Sequence, residues 1–168
     1  EFTGGVAKID LVERKVLGYL QLILPGKPTK VVKVPDGRDE TICTTWKGMP
    51  QDIRVSPDGK TWYIADMMSN GVYVVDGERF AQIDYVKTST GAHGLYPSRD
   101  GTKLYIANRG SNKIHAPPKG PGGVSVLDFA TRKIVAEWPI PGGGSPDMGN
   151  VSADGKQLWL SGRYDDAV

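Results

Sequence analysis

Three polar residues stand at matching places before three matching turns. Gln51, His93 and Asp147 each precede an Asp-Gly pair by six or seven residues, the pairs being Asp58-Gly59, Asp100-Gly101 and Asp154-Gly155. A histidine and a carboxylate in equivalent positions could share a ligand or pass a proton. The plainer alternative is that they hydrogen-bond loop backbone. Arg109 and Arg163 form a second equivalent pair. Guanidinium groups on a rim can grip an anion at two points, or simply be solvated. Met67-Met68 would suit a soft metal or rim packing. His115 lies in a Pro/Gly-rich segment and reads as solvated. No dense His/Asp/Glu cluster accompanies these residues, so neither a metal nor a catalytic residue is assigned.

Those positions are equivalent because the elements that carry them repeat. The segments SPDGKTWYIAD (56–66), SRDGTKLYIAN (98–108) and SADGKQLWLSG (152–162) share one pattern. Their aspartates fall at 58, 100 and 154, spacings of 42 and 54 residues. Periods in this range, built from short strands and turns, indicate propeller blades. Ser-x-Asp-Gly fits a type I turn closed by a glycine at positive φ. Each turn leads into a run apolar on both faces, such as Trp62 to Ala65 or Leu104 to Ala107, which fits a strand sandwiched between two sheets. Trp62 and Trp159 are expected to pack between blades. A third strand, Val72 to Asp76, matches Val124 to Asp128 and Val6 to Asp10, and a fourth follows Arg14-Lys15 and Arg132-Lys133.

The expected fold is all-β: an incomplete arc of about three four-stranded antiparallel blades. Residues 4–24 supply strands three and four of one blade. Residues 50–87 and 91–139 form complete blades, and 146–168 an incomplete one. A further strand is expected to begin at Asp166-Ala167-Val168. The open ends imply a longer chain, a second copy or a protein partner that covers them.

Two insertions interrupt the pattern, 25–47 between blades and 112–123 within the second complete blade. Alternating strand direction puts both opposite the Asp-Gly turns, on the side where the inner strands begin. Long loops on one rim of a rigid scaffold are where binding usually resides.

Composition narrows the options. Twenty-one basic and 19 acidic residues give a net charge of +2, which offers no footprint for nucleic acid. No stretch reaches the roughly 18 apolar residues of a membrane span. Cys43 is the single cysteine, which excludes an internal disulfide and Cys-x-x-Cys metal sites. Gly142-Gly143-Gly144 does not open a helix, and neither a Gly-x-Ser-x-Gly elbow nor a haem-attachment motif occurs. No cofactor is expected.

Tyr63-Ile64-Ala65-Asp66 and Tyr105-Ile106-Ala107-Asn108, each after Ser-x-Asp-Gly, resemble the YVTN repeat, named for a Tyr-Val-Thr-Asn stretch on the second strand. Gly48-Met49-Pro50 and Gly144-Ser145-Pro146 resemble the Gly-x-Pro that opens its first strand. The third copy departs, with Trp159 and Gly162 at its ends. The resemblance implies a seven-bladed propeller, typically bacterial or archaeal and secreted, periplasmic or at the cell surface. Some such propellers sit within redox or lactonase-like enzymes, and no catalytic motif is common to them. The expectation is therefore a binding or scaffold module that uses the insertion-bearing face for a protein or small-molecule ligand. The alternative is part of an enzyme with its site at the channel mouth.

Overall fold

The computed structural model describes residues 4–33 and 37–165, which form strands and turns throughout. The strand expected to begin at Asp166 lies outside the described residues. Two complete antiparallel blades occupy the middle of the chain. The first is β5 (Pro50–Val55), β6 (Thr61–Asp66), β7 (Gly71–Asp76) and β8 (Ala81–Lys87), paired in that order. The second is β9 (Ala92–Pro97), β10 (Lys103–Asn108), β11 (Gly123–Asp128) and β12 (Lys133–Pro139). Two-stranded sheets flank them: β1 (Gly5–Asp10) with β2 (Lys15–Gln21), and β13 (Pro146–Val151) with β14 (Leu158–Gly162). The inner strands β5, β9 and β13 lie side by side and make the concave wall.

The turns form for the reason the sequence suggests. Gly59, Gly101 and Gly155 have φ of 74°, 70° and 74°, a region that penalises any side chain. In each turn the serine hydroxyl donates to the aspartate carboxylate: Ser56 to Asp58 at 2.5 Å, Ser98 to Asp100 and Ser152 to Asp154 at 2.6 Å. The turns also nest. A Cβ on Gly101 would stand 3.2 Å from Pro57 of the preceding blade, and one on Gly155 would stand 3.2 Å from Arg99.

Three apolar layers hold the blades together. Tyr63, Ala65, Val72 and Val74 of the first blade pack on Leu95, Leu104, Ile106 and Leu127 of the second. Tyr96 and Ala107 pack on Val151, Leu158 and Leu160. Ile64, Tyr73 and Val75 meet Val6, Leu20 and Leu22. Each layer removes several large side chains from water, at roughly 25 cal/mol per Å² of apolar surface.

Two expectations need correction. Trp62 and Trp159 do not lie buried between blades. They remain 41% and 56% exposed, Trp62 lining an open cleft with Val6, Ala7 and Lys8 of β1. The 25–47 insertion does not gather wholly on the loop rim either. It folds into a hairpin, β3 (Thr29–Lys33) with β4 (Asp39–Cys43). This hairpin lies on the outer flank, beside a cavity of about 330 Å³ whose walls include Tyr19, Glu40, Thr41, Arg79 and Gln82. Gln82 clamps the approach: Ile23 N–H donates to its Oε1 at 2.8 Å, and its Nε2 donates to the Ile23 carbonyl at 2.9 Å. Only the segment after Cys43 returns to the rim, where Gly48 meets Asp66.

Candidate functional site

The inner strands begin earlier than their apolar runs suggest, and each begins with a bulge. The register slips between Pro50 and Ile53, opposite Ala92 to Leu95, and between Pro146 and Gly149. A bulge turns a strand and re-aims its side chains. Gln51, His93 and Asp147 are the second residues of their strands, at this irregular start. Gly94 sits in the second bulge because backbone and ring crowd it. A Cβ there would lie 2.1 Å from the Tyr96 hydroxyl and 2.6 Å from the Asp147 carbonyl.

His93 and Asp147 come together across the blade boundary. His93 Nδ1 is 2.7 Å from Asp147 Oδ1, and both side chains are buried. The two atoms are close but not aligned as a hydrogen bond, so the contact is an ion pair once the imidazole carries its second proton. Arg163 Nη1 donates to the other oxygen, Oδ2, at 3.0 Å. Burial on its own would raise the Asp147 pKa. The contacts with His93 and Arg163 outweigh it and bring the carboxyl down to about 2. The same pairing raises the Arg163 pKa.

Arg109 does not stand on an open rim. It is buried, with Nη1 donating to Met67 Sδ at 2.8 Å and Nη2 contacting the Tyr164 hydroxyl. Met67, Arg109 and Arg163 are equivalent in three successive blades, so this row binds each blade to the next. Tyr164 is the link that the sequence did not offer. Its ring lies 5.2 Å from the Arg109 guanidinium and 5.9 Å from that of Arg163, within the range of cation–π attraction. Its hydroxyl donates to the Ile114 carbonyl at 2.5 Å.

Those contacts hold the 112–123 insertion against the mouth. Lys119 N–H donates to Asp165 Oδ1 at 2.6 Å, and Ser145 N–H donates to Oδ2 at 2.7 Å. Gly122 N–H and Gly144 N–H complete the seam, to the carbonyls of Gly144 and Gly120. The Asp165 pKa is lowered, first by the Lys119 N–H.

Gln51 stays apart. It is exposed, and its Nε2 donates at 3.1 Å to the carbonyl of Met49, just ahead of its own strand. Asp66 and Asn108, equivalent at the ends of β6 and β10, serve the framework. Asp66 Oδ1 accepts from Ser69 N–H at 2.9 Å and caps the turn, and burial raises its pKa. Asn108 Nδ2 instead reaches Ser125 Oγ at 2.7 Å, whose hydroxyl donates to Glu137 at 2.8 Å. Among the described residues, no three His, Cys, Asp or Glu side chains converge as a metal site.

Asp147 thus has one oxygen bonded by Arg163 and the other beside His93, and a carboxyl at about 2 stays ionised through the neutral range. It is a poor proton donor there. What the mouth presents outward is cationic: the half-exposed guanidinium of Arg163 beside the loop held by Tyr164.

Residues 39–168 match the YNCE-like β-propeller family. The chain belongs to that family. It is 23% identical to Antigen Lp49 of Leptospira interrogans over 186 aligned positions, covering 92% of this chain and 38% of that protein. Among solved structures it is similar to hydrazine synthase of Kuenenia stuttgartiensis (TM-score 0.55, 21% identity, 95% of this chain and 49% of that one). It is also similar to a putative 6-phosphogluconolactonase of Bacteroides uniformis (TM-score 0.54, 21% identity, 80% of this chain and 40% of that one). At these identities the likeness to solved structures is one of fold. This YNCE-like chain spans less than half the length of the proteins it resembles.

Proposed function

We propose that this YNCE-like propeller arc is a binding module that takes an acidic group, on a small molecule or a protein partner, at the mouth of the loop-bearing face. The observation that supports this most is the pairing of Arg163 with an ionised Asp147. Arg163 holds one oxygen of Asp147 and His93 lies against the other, which keeps the carboxylate ionised, and the mouth keeps a partly exposed guanidinium. A guanidinium fork suits a carboxylate or phosphate. Within the family we read the repeat as the YVTN type. We place the protein at the cell surface, in the periplasm or outside the cell. The name of the leptospiral antigen agrees with that placement.

A second reading is supported by the His93–Asp147 contact and by the lactonase name of one structural relative. In it the arc is part of a hydrolase or redox enzyme with its site at the same mouth. One set of titrations separates the two. Inorganic phosphate and an oligoglutamate peptide should bind the wild type and lose at least tenfold in affinity in Arg163→Ala. Equal affinity in the variant removes the binding reading. Hydrolysis of 6-phosphogluconolactone that disappears in His93→Ala would replace it with the enzymatic one.

A further inference from the structure

The concave wall carries a second polar cavity, at the end where the Asp-Gly turns lie. Its volume is about 380 Å³. Arg54 of β5, Tyr96 of β9, Ser98 and Arg99 of the turn that follows, and Asn150 of β13 line it. The repeat does not call for charge at these places. Arg54 stands two residues before Ser56, where the next two copies have Tyr96 and Asn150. Arg99 stands second in its Ser-x-Asp-Gly turn, where the other copies have Pro57 and Ala153. Two successive blades thus each bring a guanidinium that strand and turn chemistry do not require, and both meet in one cavity.

Each guanidinium is partly committed to the framework, which fixes its position and leaves donors over. Arg54 Nη1 donates to Asp52 Oδ1 at 2.5 Å and to the Ile53 carbonyl at 2.8 Å. Arg99 Nε donates to the Ser152 carbonyl at 3.0 Å, and its Nη2 donates to the Val151 carbonyl. Nε and Nη2 of Arg54 and Nη1 of Arg99 have no acceptor among the described residues. Asn150 adds a further donor. Its Oδ1 accepts from Val151 N–H at 2.9 Å, which leaves the Nδ2 amide open.

The charge balance favours an anion. No carboxylate lines the cavity. Asp52 and Asp100, the acids beside this wall in sequence, are already held. Asp52 Oδ2 accepts from Leu95 N–H at 2.9 Å while its Oδ1 takes Arg54. Asp100 Oδ1 accepts from the Ser98 hydroxyl at 2.6 Å and from Thr102 N–H at 3.0 Å. A concave wall of one charge sign focuses its field on the space it encloses. Guanidinium forks match the oxygens of a tetrahedral oxyanion, and such charge-assisted bonds are the strong ones. The volume suits a small molecule. We propose that this cavity is a second anion site, taking a small ligand with a doubly charged phosphate or sulfate group between Arg54, Arg99 and Asn150. It is independent of the mouth, where the one exposed guanidinium, that of Arg163, is paired with Asp147.

Inorganic sulfate is the probe, followed by amide and arginine Nε chemical shifts. The parent is the 168-residue chain with Arg163→Ala, which removes the exposed cation of the mouth. Saturable shifts should appear at Tyr96, Ser98, Arg99 and Asn150. Adding Arg54→Ala should weaken them by about tenfold or more, the worth of one charge-assisted hydrogen bond. Asn150→Asp is the second variant. It sets a negative charge against the cavity from an exposed position, so urea unfolding should match the parent while sulfate binding is lost. Shifts that spread over the surface without saturating, or equal affinity in either variant, overturn the proposal. The two sites are read apart, because Arg54→Ala alone leaves Arg163 in place and is the chain in which phosphate reports on the mouth.

Discussion

His93 of β9 and Asp147 of β13 approach to 2.7 Å across the boundary between two blades, and Arg163 seals the carboxylate from its other side. The inner wall is therefore pinned by charge as well as by apolar packing. The Asp147 carboxyl moves from an ordinary 3.8 to about 2 on folding, so the folded chain binds fewer protons than the unfolded one between those values. Stability from this group is fully present above about pH 4 and is lost as pH falls through about 2, a contribution of about 2 kcal/mol. In urea unfolding, Asp147→Asn should lose about that amount at pH 7 and converge on the wild type near pH 2. Asp100 and Asp128 also titrate near 2, held by Ser98 and Lys103, and form a background common to both proteins.

Gly48 is fixed by a carboxylate. A Cβ on it would stand 1.9 Å from Asp66 Oδ2, and Asp66 is itself tied to the backbone of Ser69. Gly48→Ala should cost about 1–3 kcal/mol in urea unfolding, the usual penalty of overpacking. Gly26→Ala has open space around its Cβ and only positive φ to oppose it, so its cost should be near 1 kcal/mol.

Tyr164 secures the 112–123 insertion through its hydroxyl on Ile114 and its ring between two guanidinium groups. Tyr164→Phe removes the hydroxyl contacts and keeps the ring. Hydrogen exchange followed by mass spectrometry should show faster exchange across 113–120 and no change in β9 to β12.

Ser125 is a hub inside the second blade. It accepts from Asn108 Nδ2 at 2.7 Å and donates to Glu137 at 2.8 Å. Ser125→Ala strands two polar groups and should cost about 1–3 kcal/mol by thermal or urea unfolding.

Much of this was legible in the sequence because the turn chemistry is local. Ser-x-Asp-Gly specifies its own loop, and Gly59, Gly101 and Gly155 adopt the positive φ that the pattern requires. Alignment to those turns also put His93 and Asp147 in one register, from which the inner strands bring them into contact. The hairpin β3–β4 was not legible, since it has no counterpart in the repeat and docks by tertiary contacts such as Gln21 of β2 on the backbone of Cys43. Tyr164 escaped for the same reason: Met68 and Gly110 hold its position in the other blades. The burial of Arg109 depends on Met67 of the preceding blade and Tyr164 of the next, contacts that no spacing encodes. The exposure of Trp159, and of Trp62 in its open cleft beside β1, is not revealed by the apolar run on each strand.

The most direct test of a binding mouth on the loop-bearing face is an amide chemical-shift titration with the oligoglutamate peptide. Saturable shifts should concentrate at Arg109, at 113–122 and at Arg163 to Asp165, and vanish in Arg163→Ala. Saturable shifts confined to the opposite face, at Asp58 to Lys60, Asp100 to Thr102 and Asp154 to Lys156, would contradict the account.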